Sequence, residues 1–334
     1  MATTTTTQTK TALNIVFGAM GLGKEGVPQV RVHDLKDCAA MLDVFQKHGH
    51  NEIDSARVYG GGSSEEYLGQ LKCQERGIVV DTKLLPRRIG QMSYTHKKDD
   101  LKRGLLESLQ ALQTDKVDVW YLHAPDRNTP YEETLEAVNE LYKAGYFRRF
   151  GISNFPAWEV AQICELCERN GWKKPDVCQG VYSALQRAVE PELFPCLRHY
   201  GIAFYNFSPI GGGILTDRYH RDTTEHEEGS RFDPKRMQSA RRQYWNDAYF
   251  DALDVIRPVA KELGMTTAEA ALRWASHHSL MKREYGDAVI TGASSTAQLE
   301  ENLTNLEKGP LPERMVKAFD EGWAIIKGIC GSYF

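Results

Sequence analysis

Short apolar runs alternate along the chain with longer amphipathic segments. Strand-like runs occupy residues 13–17, 52–54, 78–83, 117–123, 150–153, 177–179, 202–207 and 288–292. Apolar residues recur at helical spacing over 33–48, 64–73, 98–113, 131–144, 156–170, 190–200, 267–278 and 296–306. Strands that alternate with helices form parallel sheets, and eight such strands close a barrel, so the pattern predicts a barrel.

Two further helical patterns, 247–263 and 312–327, exceed the minimal barrel plan, and no repeat or linker divides the chain. We therefore predict one α/β domain over residues 11–334, a (β/α)8 TIM barrel with extra helices and long loops at its C-terminal face. In such a barrel the active site lies at the carboxyl ends of the strands. Residues 1–10, which are rich in threonine, are predicted to form a disordered polar tail.

Four titratable side chains stand at or just beyond predicted strand ends: Asp54, Tyr59, Lys83 and His123. Each alone is an ordinary structural residue, but together they form a coherent proton-donor set. A phenol with a pKa of about 10 needs a neighbouring cation to release its proton near neutrality, and Lys83 can supply it. Asp54 can hold that ammonium charged, and His123 can orient a carbonyl oxygen between itself and Tyr59.

In this order, and at these strand ends, the four residues resemble the catalytic tetrad of the aldo-keto reductases. The segments 121–130, 151–154, 158–164, 192–199 and 292–302 are similar to the aflatoxin-aldehyde reductase branch, and the likeness runs from about Ile15 onward. The resemblance implies NADPH-dependent reduction of aldehydes, dialdehydes, semialdehydes or ketones, with Tyr59 as the proton donor. A non-catalytic NADP(H)-binding regulatory barrel and an oxidoreductase of a specialised biosynthetic pathway remain alternatives.

Later strand ends offer groups that suit a nicotinamide cofactor. Ser153, Asn154 and Gln179 can hydrogen-bond a carboxamide, and the ring of Phe207 can stack on a nicotinamide. The resemblance implies a Tyr at this stacking position, so Phe207 keeps the face and loses a hydroxyl. Glycine-rich backbone allows close approach to a pyrophosphate, and the candidate contacts are Ser208, Pro209, Ile210, Gly212, Gly213 and Leu215.

The last predicted strand leads into a helix whose N-terminus is a potential anion site. Its candidate cofactor contacts are Gly292, Ser294, Ser295, Gln298, Glu301 and Asn302. Many members of the resembling family carry an Arg where Gln298 stands, and it grips the adenosine 2'-phosphate. We expect Arg231 to supply the missing cation, so the predicted cofactor is NADPH.

Gly21, Gly23 and Gly26 match the G-x-G-x-x-G pattern of a Rossmann dinucleotide site. In that fold a helix opens inside the glycines. Here Pro28 follows, and the next helical pattern begins at residue 33. We therefore predict a loop over the barrel mouth and not a Rossmann unit.

The substrate is expected to be a small carbonyl compound that contacts Met20, Arg57, Tyr59 and His123. The loop 229–245 adds Arg231, Arg236, Arg241 and Arg242. Such a basic rim suits polar or carboxylate-bearing aldehydes. The alternative is that these arginines belong to a solvated surface loop and bind no substrate.

Composition limits the classes of partner. A net charge of -4 gives no electrostatic footprint for nucleic acid or an anionic membrane, so neither is predicted as a partner. No apolar run approaches the roughly 20 residues that span a bilayer, and the threonine-rich tail lacks the apolar core of a secretory signal. We expect a cytoplasmic protein, and the resemblance is compatible with a homodimer.

Cysteine usage favours reduced thiols, because seven cysteines is an odd number and their spacing gives no disulfide framework. Cys164 and Cys167 match a C-x-x-C redox pattern but share one face of a predicted helix. We interpret them as a packed pair, and we predict no metal site.

Overall fold

The computed structural model describes residues 10–225, 229–234 and 239–334. Its strands are β1 (Asn14–Gly18), β2 (Glu52–Asp54), β3 (Val79–Leu84), β4 (Arg88–Ile89), β5 (Met92–Ser93), β6 (Val117–Leu122), β7 (Phe147–Ser153), β8 (Val177–Val181), β9 (Ala203–Phe207) and β10 (Ala288–Thr291). Eight of them form a closed parallel barrel in the order β1-β10-β9-β8-β7-β6-β3-β2, whereas β4 and β5 pair as a small antiparallel hairpin. The predicted TIM barrel is confirmed.

The helices are α1 (Leu35–Lys47), α2 (Ser63–Gln70), α3 (Lys98–Ala111), α4 (Tyr131–Lys143), α5 (Ala157–Asn170), α6 (Leu193–Tyr200), α7 (Ser239–Tyr244), α8 (Asp247–Glu262), α9 (Thr267–His277), α10 (Thr296–Leu306) and α11 (Glu313–Ile326). Short 3-10 turns occupy Ala19–Gly21, Tyr59–Gly62, Gly211–Gly213 and Arg283–Tyr285. The hairpin and α7 were not predicted, because two-residue strands and a six-residue helix are too short to leave a periodic pattern.

Strand register brings the predicted site residues to one end of the barrel. Asp54 is the last residue of β2, and Gln179 on β8 pairs with Ser153, the last residue of β7. Lys83 lies one residue before the end of β3. Because all eight barrel strands run parallel, these positions meet at the C-terminal face.

The opposite end of the barrel interior is charged. The guanidinium of Arg149 donates to Glu52 at 2.7 Å, to Asp118 at 2.8 Å and to the Tyr205 hydroxyl at 2.9 Å. Oxygens of Glu52, Asp118 and Asp81 lie within 4.8 Å of one another, so the guanidinium provides the positive charge that buried carboxylates require. Burial, followed by repulsion from Glu52, raises the pKa of Asp81 well above its usual range.

The cysteines behave as packing residues. All seven are free thiols, and both Cys164 and Cys167 are fully buried on α5. Burial raises the pKa of each of these two thiols to about 12, which suppresses the reactive thiolate. The predicted packed pair is therefore what the structure contains.

The predicted polar tail falls almost wholly on residues 1–9, which lie outside the described residues. Among the residues that the structure describes, no helix combines the length and the apolar composition that crossing a membrane requires.

Candidate active site

Tyr59 is delivered to the barrel mouth by a turn of three consecutive glycines. Gly60, Gly61 and Gly62 have φ values of 56°, 63° and 98°, a left-handed run that favours glycine. A Cβ atom on Gly62 would lie 2.9 Å from a guanidinium nitrogen of Arg57. The tightness of this turn therefore depends on its lack of side chains.

The four predicted catalytic residues come together at the mouth. The Lys83 ammonium is fully buried, donates to Asp54 at 2.6 Å and to the Ser55 carbonyl at 2.7 Å, and lies 3.5 Å from the Tyr59 hydroxyl. The ring of His123 meets the Tyr59 ring edge-on, with centroids 5.8 Å apart and planes at 80°. A carbonyl oxygen can thus be approached by a phenol and an imidazole together.

Neighbouring groups keep the Lys83 side chain protonated. Burial disfavours its ammonium, but attraction to Asp54 and Tyr59 and hydrogen bonds to both outweigh burial and raise its pKa. Burial lowers the pKa of His123 to about 3, with repulsion from Lys83 in the same direction, so its imidazole is neutral near pH 7. A neutral imidazole can donate one N–H without competing for the proton of Tyr59.

The pKa of the Tyr59 phenol differs from the expectation. Lys83 does lower its pKa, as predicted, but burial is the larger influence and Asp54 adds to it, so the net pKa is raised. Tyr59 therefore holds its proton in the resting site. A retained proton suits a general acid, which must be protonated before reaction.

Ser153, Asn154 and Gln179 form a connected polar edge beside the tetrad. Asn154 donates its side-chain nitrogen to the carbonyl of His123 at 2.9 Å and to the Ser153 hydroxyl at 3.0 Å. Gln179 donates its side-chain nitrogen to Asp54 at 2.8 Å. These bonds do not use the hydroxyl hydrogen of Ser153 or the side-chain oxygens of Asn154 and Gln179, and such groups match the acceptor and donors of a carboxamide.

The segment after β9 turns through residues with positive φ. Ser208, Gly212 and Gly213 have φ values of 57°, 68° and 111°, and Phe207 is half-buried at the strand end. Leu215 is fully buried, so its predicted contact is restricted to its backbone. Ile210 is half-buried, and Pro209 is buried beneath the turn. This arrangement fits close approach by a pyrophosphate.

At the end of β10, the predicted anion-binding groups bond to one another. The side-chain oxygen of Gln298 accepts from the Ser294 N–H at 2.7 Å and from the Ser294 hydroxyl at 3.0 Å. Ser295 caps α10 by accepting from the Gln298 N–H at 3.2 Å. Asn302 is buried and donates to the Gly292 carbonyl at 3.2 Å, which makes it a support for the loop.

Arg231 contacts the segment after β9, and Glu301 is exposed on α10. The guanidinium of Arg231 donates to the Ser208 hydroxyl at 3.3 Å, and its charge lowers the pKa of Tyr59. No hydrogen bond joins Arg231 to Ser294 or Ser295, all of which are described. The expected link from Arg231 to a 2'-phosphate is thus not preformed.

Arg31 is a cation that sequence reasoning missed. A Cβ atom on Gly21 would lie 3.4 Å from the Ala293 carbonyl and 3.9 Å from the Cβ atom of Arg31. The loop after β1 therefore places Arg31 beside the segment that leads to Ser294. No motif in the sequence indicates this proximity, because the two loops are joined only by closure of the barrel through β1 and β10.

The predicted substrate contacts divide into two groups. Met20 is half-buried in the first 3-10 turn, on the same loop as Arg31. Arg57 is already paired, since its guanidinium donates to the fully buried carboxylate of Glu65 at 2.6 Å. It therefore braces the glycine turn and is not a ready cation for a substrate carboxylate. Arg236 and the side chain of Arg242 lie outside the described residues.

Of the three glycines in the rejected Rossmann pattern, Gly23 is the one that close packing requires. A Cβ atom on Gly23 would lie 2.5 Å from the Ser63 hydroxyl, which donates to the Gly60 carbonyl and accepts from the Lys24 N–H at 2.9 Å. No helix opens within the pattern, and α1 begins only at Leu35. The prediction of a loop at the mouth is confirmed.

Comparison with known proteins agrees with this geometry. A family model described as the aldo/keto reductase family matches residues 14–324. The chain belongs to the aldo/keto reductase family. It is an oxidoreductase barrel, and the resemblance inferred from the tetrad is confirmed.

The similarity between this aldo-keto reductase and its relatives covers most of the chain. An aldo-keto reductase of Pseudocercospora fijiensis is 64% identical over 295 residues, which cover 88% of this chain and 100% of the relative. The aldo-keto reductase pigE of Monascus ruber is 49% identical over 335 residues, with 97% and 98% covered. Human aflatoxin B1 aldehyde reductase member 4 is 39% identical over 325 residues, with 96% of each chain covered.

Proposed function

We propose that this aldo-keto reductase reduces aldehydes, dialdehydes, semialdehydes or ketones to alcohols with NADPH, and that Tyr59 donates the proton. The observation that carries the proposal is the buried Lys83 ammonium, which lies between the Asp54 carboxylate and the Tyr59 hydroxyl. Burying an ion pair costs desolvation free energy. Buried titratable groups that are coupled to a specific charged partner therefore cluster at functional sites.

A nicotinamide cofactor, when bound, would supply the hydride for the carbonyl carbon. The chain's own residues handle the oxygen, which gathers negative charge as the carbonyl bond is broken. Tyr59 transfers its proton to that oxygen, and His123 donates an N–H to it. The resulting phenolate is stabilised by the Lys83 ammonium, which Asp54 keeps charged. One hydride and one proton are thus added, and the product is an alcohol.

The residues at the later strand ends fit a nicotinamide dinucleotide. Ser153, Asn154 and Gln179 would hold the carboxamide, Phe207 would stack on the ring, and the turn at Ser208 would approach the pyrophosphate. Ser294, Ser295 and the N-terminus of α10 favour a 2'-phosphate. Arg31 supports the NADPH assignment by adding a positive charge beside this loop, whereas Gln298 adds none.

Carbonyl reduction is favoured over a non-catalytic binding role because all four tetrad side chains are in mutual reach. The test is NADPH oxidation by the purified protein against a panel of aromatic aldehydes, dialdehydes, semialdehydes and ketones. We expect turnover of at least one class and little with Tyr59→Phe. Tight NADPH binding without turnover of any compound would support the regulatory barrel instead. The cytoplasmic location and the homodimer stay predictions.

A further inference from the structure

The carboxylate of Asp54 has a second donor besides Lys83. Gln179 on β8 donates its side-chain nitrogen to Asp54 Oδ1 at 2.8 Å, across a sequence separation of 125 residues. Asp54 is 3% exposed and Gln179 is 3% exposed, so solvent does not replace this bond. The hydrogen bond therefore contributes directly to how Asp54 is oriented toward Lys83.

Chemistry fixes which end of the Gln179 amide meets Asp54. An ionised carboxylate only accepts hydrogen bonds, so the amide must present its nitrogen to Asp54. Its oxygen then faces away from the carboxylate. The backbone carbonyl of Gln179 meanwhile accepts from the Asn154 N–H at 3.2 Å.

These bonds make a ring around the reacting position. From Tyr59 the side-chain contacts pass through Lys83 and Asp54 to Gln179. The backbone of Gln179 bonds to Asn154, whose side chain donates to the carbonyl of His123 at 2.9 Å. The ring closes where His123 meets the Tyr59 ring. Residues expected to hold the carboxamide and residues expected to move the proton are therefore parts of one network.

We propose that Gln179 is a positioning residue for proton transfer: its amide nitrogen fixes Asp54, and through Asp54 the Lys83 ammonium, while its amide oxygen contacts the cofactor carboxamide. This inference rests on the proposed function. It adds a physical link between cofactor binding and proton donation, because one planar amide serves both partners.

The hydrogen bond from Gln179 to Asp54 should affect proton release from Tyr59 in a predictable direction. A donor on Asp54 spreads its negative charge, so Lys83 is held less exclusively by Asp54 and acts more strongly on Tyr59. Without that donor, Tyr59 would keep its proton more firmly. The charged groups that face Tyr59 are Asp54, Lys83 and Arg231, and the neutral His123 ring packs against it. Asp81 is the register partner of Asp54 on β3 and interacts with it electrostatically.

The test compares Gln179→Met with the parent protein at saturating NADPH. We expect kcat to fall by roughly tenfold or more, because the proton donor is less well prepared. In the pH profile of kcat/KM, the basic limb should move to higher pH by roughly half a unit. The Kd for NADPH should rise by less than about tenfold, the usual effect of one neutral hydrogen bond. Gln186→Met is the matched control, since Gln186 is fully buried and bonds to the Gly331 carbonyl.

A second variant separates positioning from a general loss of structure. Gln179→Glu introduces an acid that can donate to Asp54 only while protonated, so its activity relative to the parent should recover as the pH falls. A readout without turnover is NMR of isotope-labelled lysine in the cofactor-free protein. The Lys83 ammonium signal, assigned by its loss in Lys83→Met, should shift in Gln179→Met and stay in place in Gln186→Met.

The inference is overturned if Gln179→Met changes only cofactor affinity, with kcat, the pH profile and the Lys83 signal unchanged. Failure of the proposed function looks different, because the parent protein would then reduce no carbonyl compound. The lysine signal would still report on Gln179 in that case.

Discussion

The Lys83 ammonium lies 3.5 Å from the Tyr59 hydroxyl oxygen, and no solvent reaches the lysine side chain. The cation also sits 5.0 Å from the centroid of the Tyr59 ring. At this separation a buried charge stabilises a phenolate far more than it would at the surface. Lys83 on β3 and Tyr59 on a 3-10 turn are thus placed close enough for the roles proposed for them, a cation and the acid beside it.

Tyr59→Phe removes the proposed proton donor and leaves the ring in place. We expect kcat to fall by roughly 10²-fold or more, the usual scale of general acid catalysis, with the Kd for NADPH unchanged within about threefold. Steady-state kinetics and fluorescence titration measure the two quantities. Tyr67→Phe, which removes a hydroxyl bonded to the His33 carbonyl outside the tetrad, is the control. Near-normal turnover of Tyr59→Phe would remove Tyr59 from this role.

Lys83→Met removes the cation and leaves Asp54 in a buried site without its main partner. Most reductase activity should be lost, because the phenolate is no longer stabilised, while the Kd for NADPH should stay within about tenfold. Exposed Lys97→Met provides the control for loss of one positive charge. Robust activity with an unchanged pH profile would contradict the proposed coupling.

Arg31 and Arg231 form a matched pair for testing cofactor selection. A charge-assisted hydrogen bond to a 2'-phosphate contributes about 1.5 to 3 kcal/mol, or about 10- to 200-fold in affinity. We expect Arg31→Ala to weaken NADPH by an amount in this range and to leave NADH nearly unaffected. Arg231→Ala, at the Tyr59 side of the mouth, should change the two cofactors by similar factors.

Fluorescence titrations of both variants with both cofactors decide between the two arginines. A loss selective for NADPH in Arg231→Ala, together with none in Arg31→Ala, would support the role that the sequence predicted for Arg231. Tighter binding of NADH than NADPH by the parent protein would contradict the proposed cofactor.

His96 predicts sensitivity of the fold to acid. Its side chain is fully buried, and burial lowers its pKa from 6.5 to about 4, against a smaller attraction to Asp126. A lowered folded-state pKa means that the unfolded chain binds more protons, so stability is present above the unfolded pKa and is lost as the pH falls toward 4. Between pH 7 and pH 5, His96 alone should cost about 2 kcal/mol of unfolding free energy.

His96→Leu should remove that part of the acid sensitivity, since neither ring nitrogen has a hydrogen-bond partner among the described residues. Chemical unfolding of the parent protein and the variant at both pH values measures it. His33→Gln, at an exposed position, is the control and should reproduce the parent's loss. An equal loss in His96→Leu would exclude this residue as the cause.

The sequence by itself determined the barrel and the location of the tetrad. Alternating strand and helix patterns leave few other ways to bury the apolar residues, and a residue at the end of a parallel strand must lie at the C-terminal face. Asp54, Lys83 and Gln179 could therefore be assigned to the mouth from their positions alone. The β4–β5 hairpin could not be predicted, because its two-residue strands are too short to show a periodic pattern.

Tertiary structure decided which of these groups act on one another. The bond from Gln179 to Asp54, the pairing of Arg57 with Glu65, and the positions of Arg31 and Arg231 depend on loops that meet only when the barrel closes. The net pKa of Tyr59 also follows from burial, which outweighs the cation beside it. Sequence patterns carry the local periodicity of strands and helices, whereas distances between loops and the loss of water arise from packing of the whole chain.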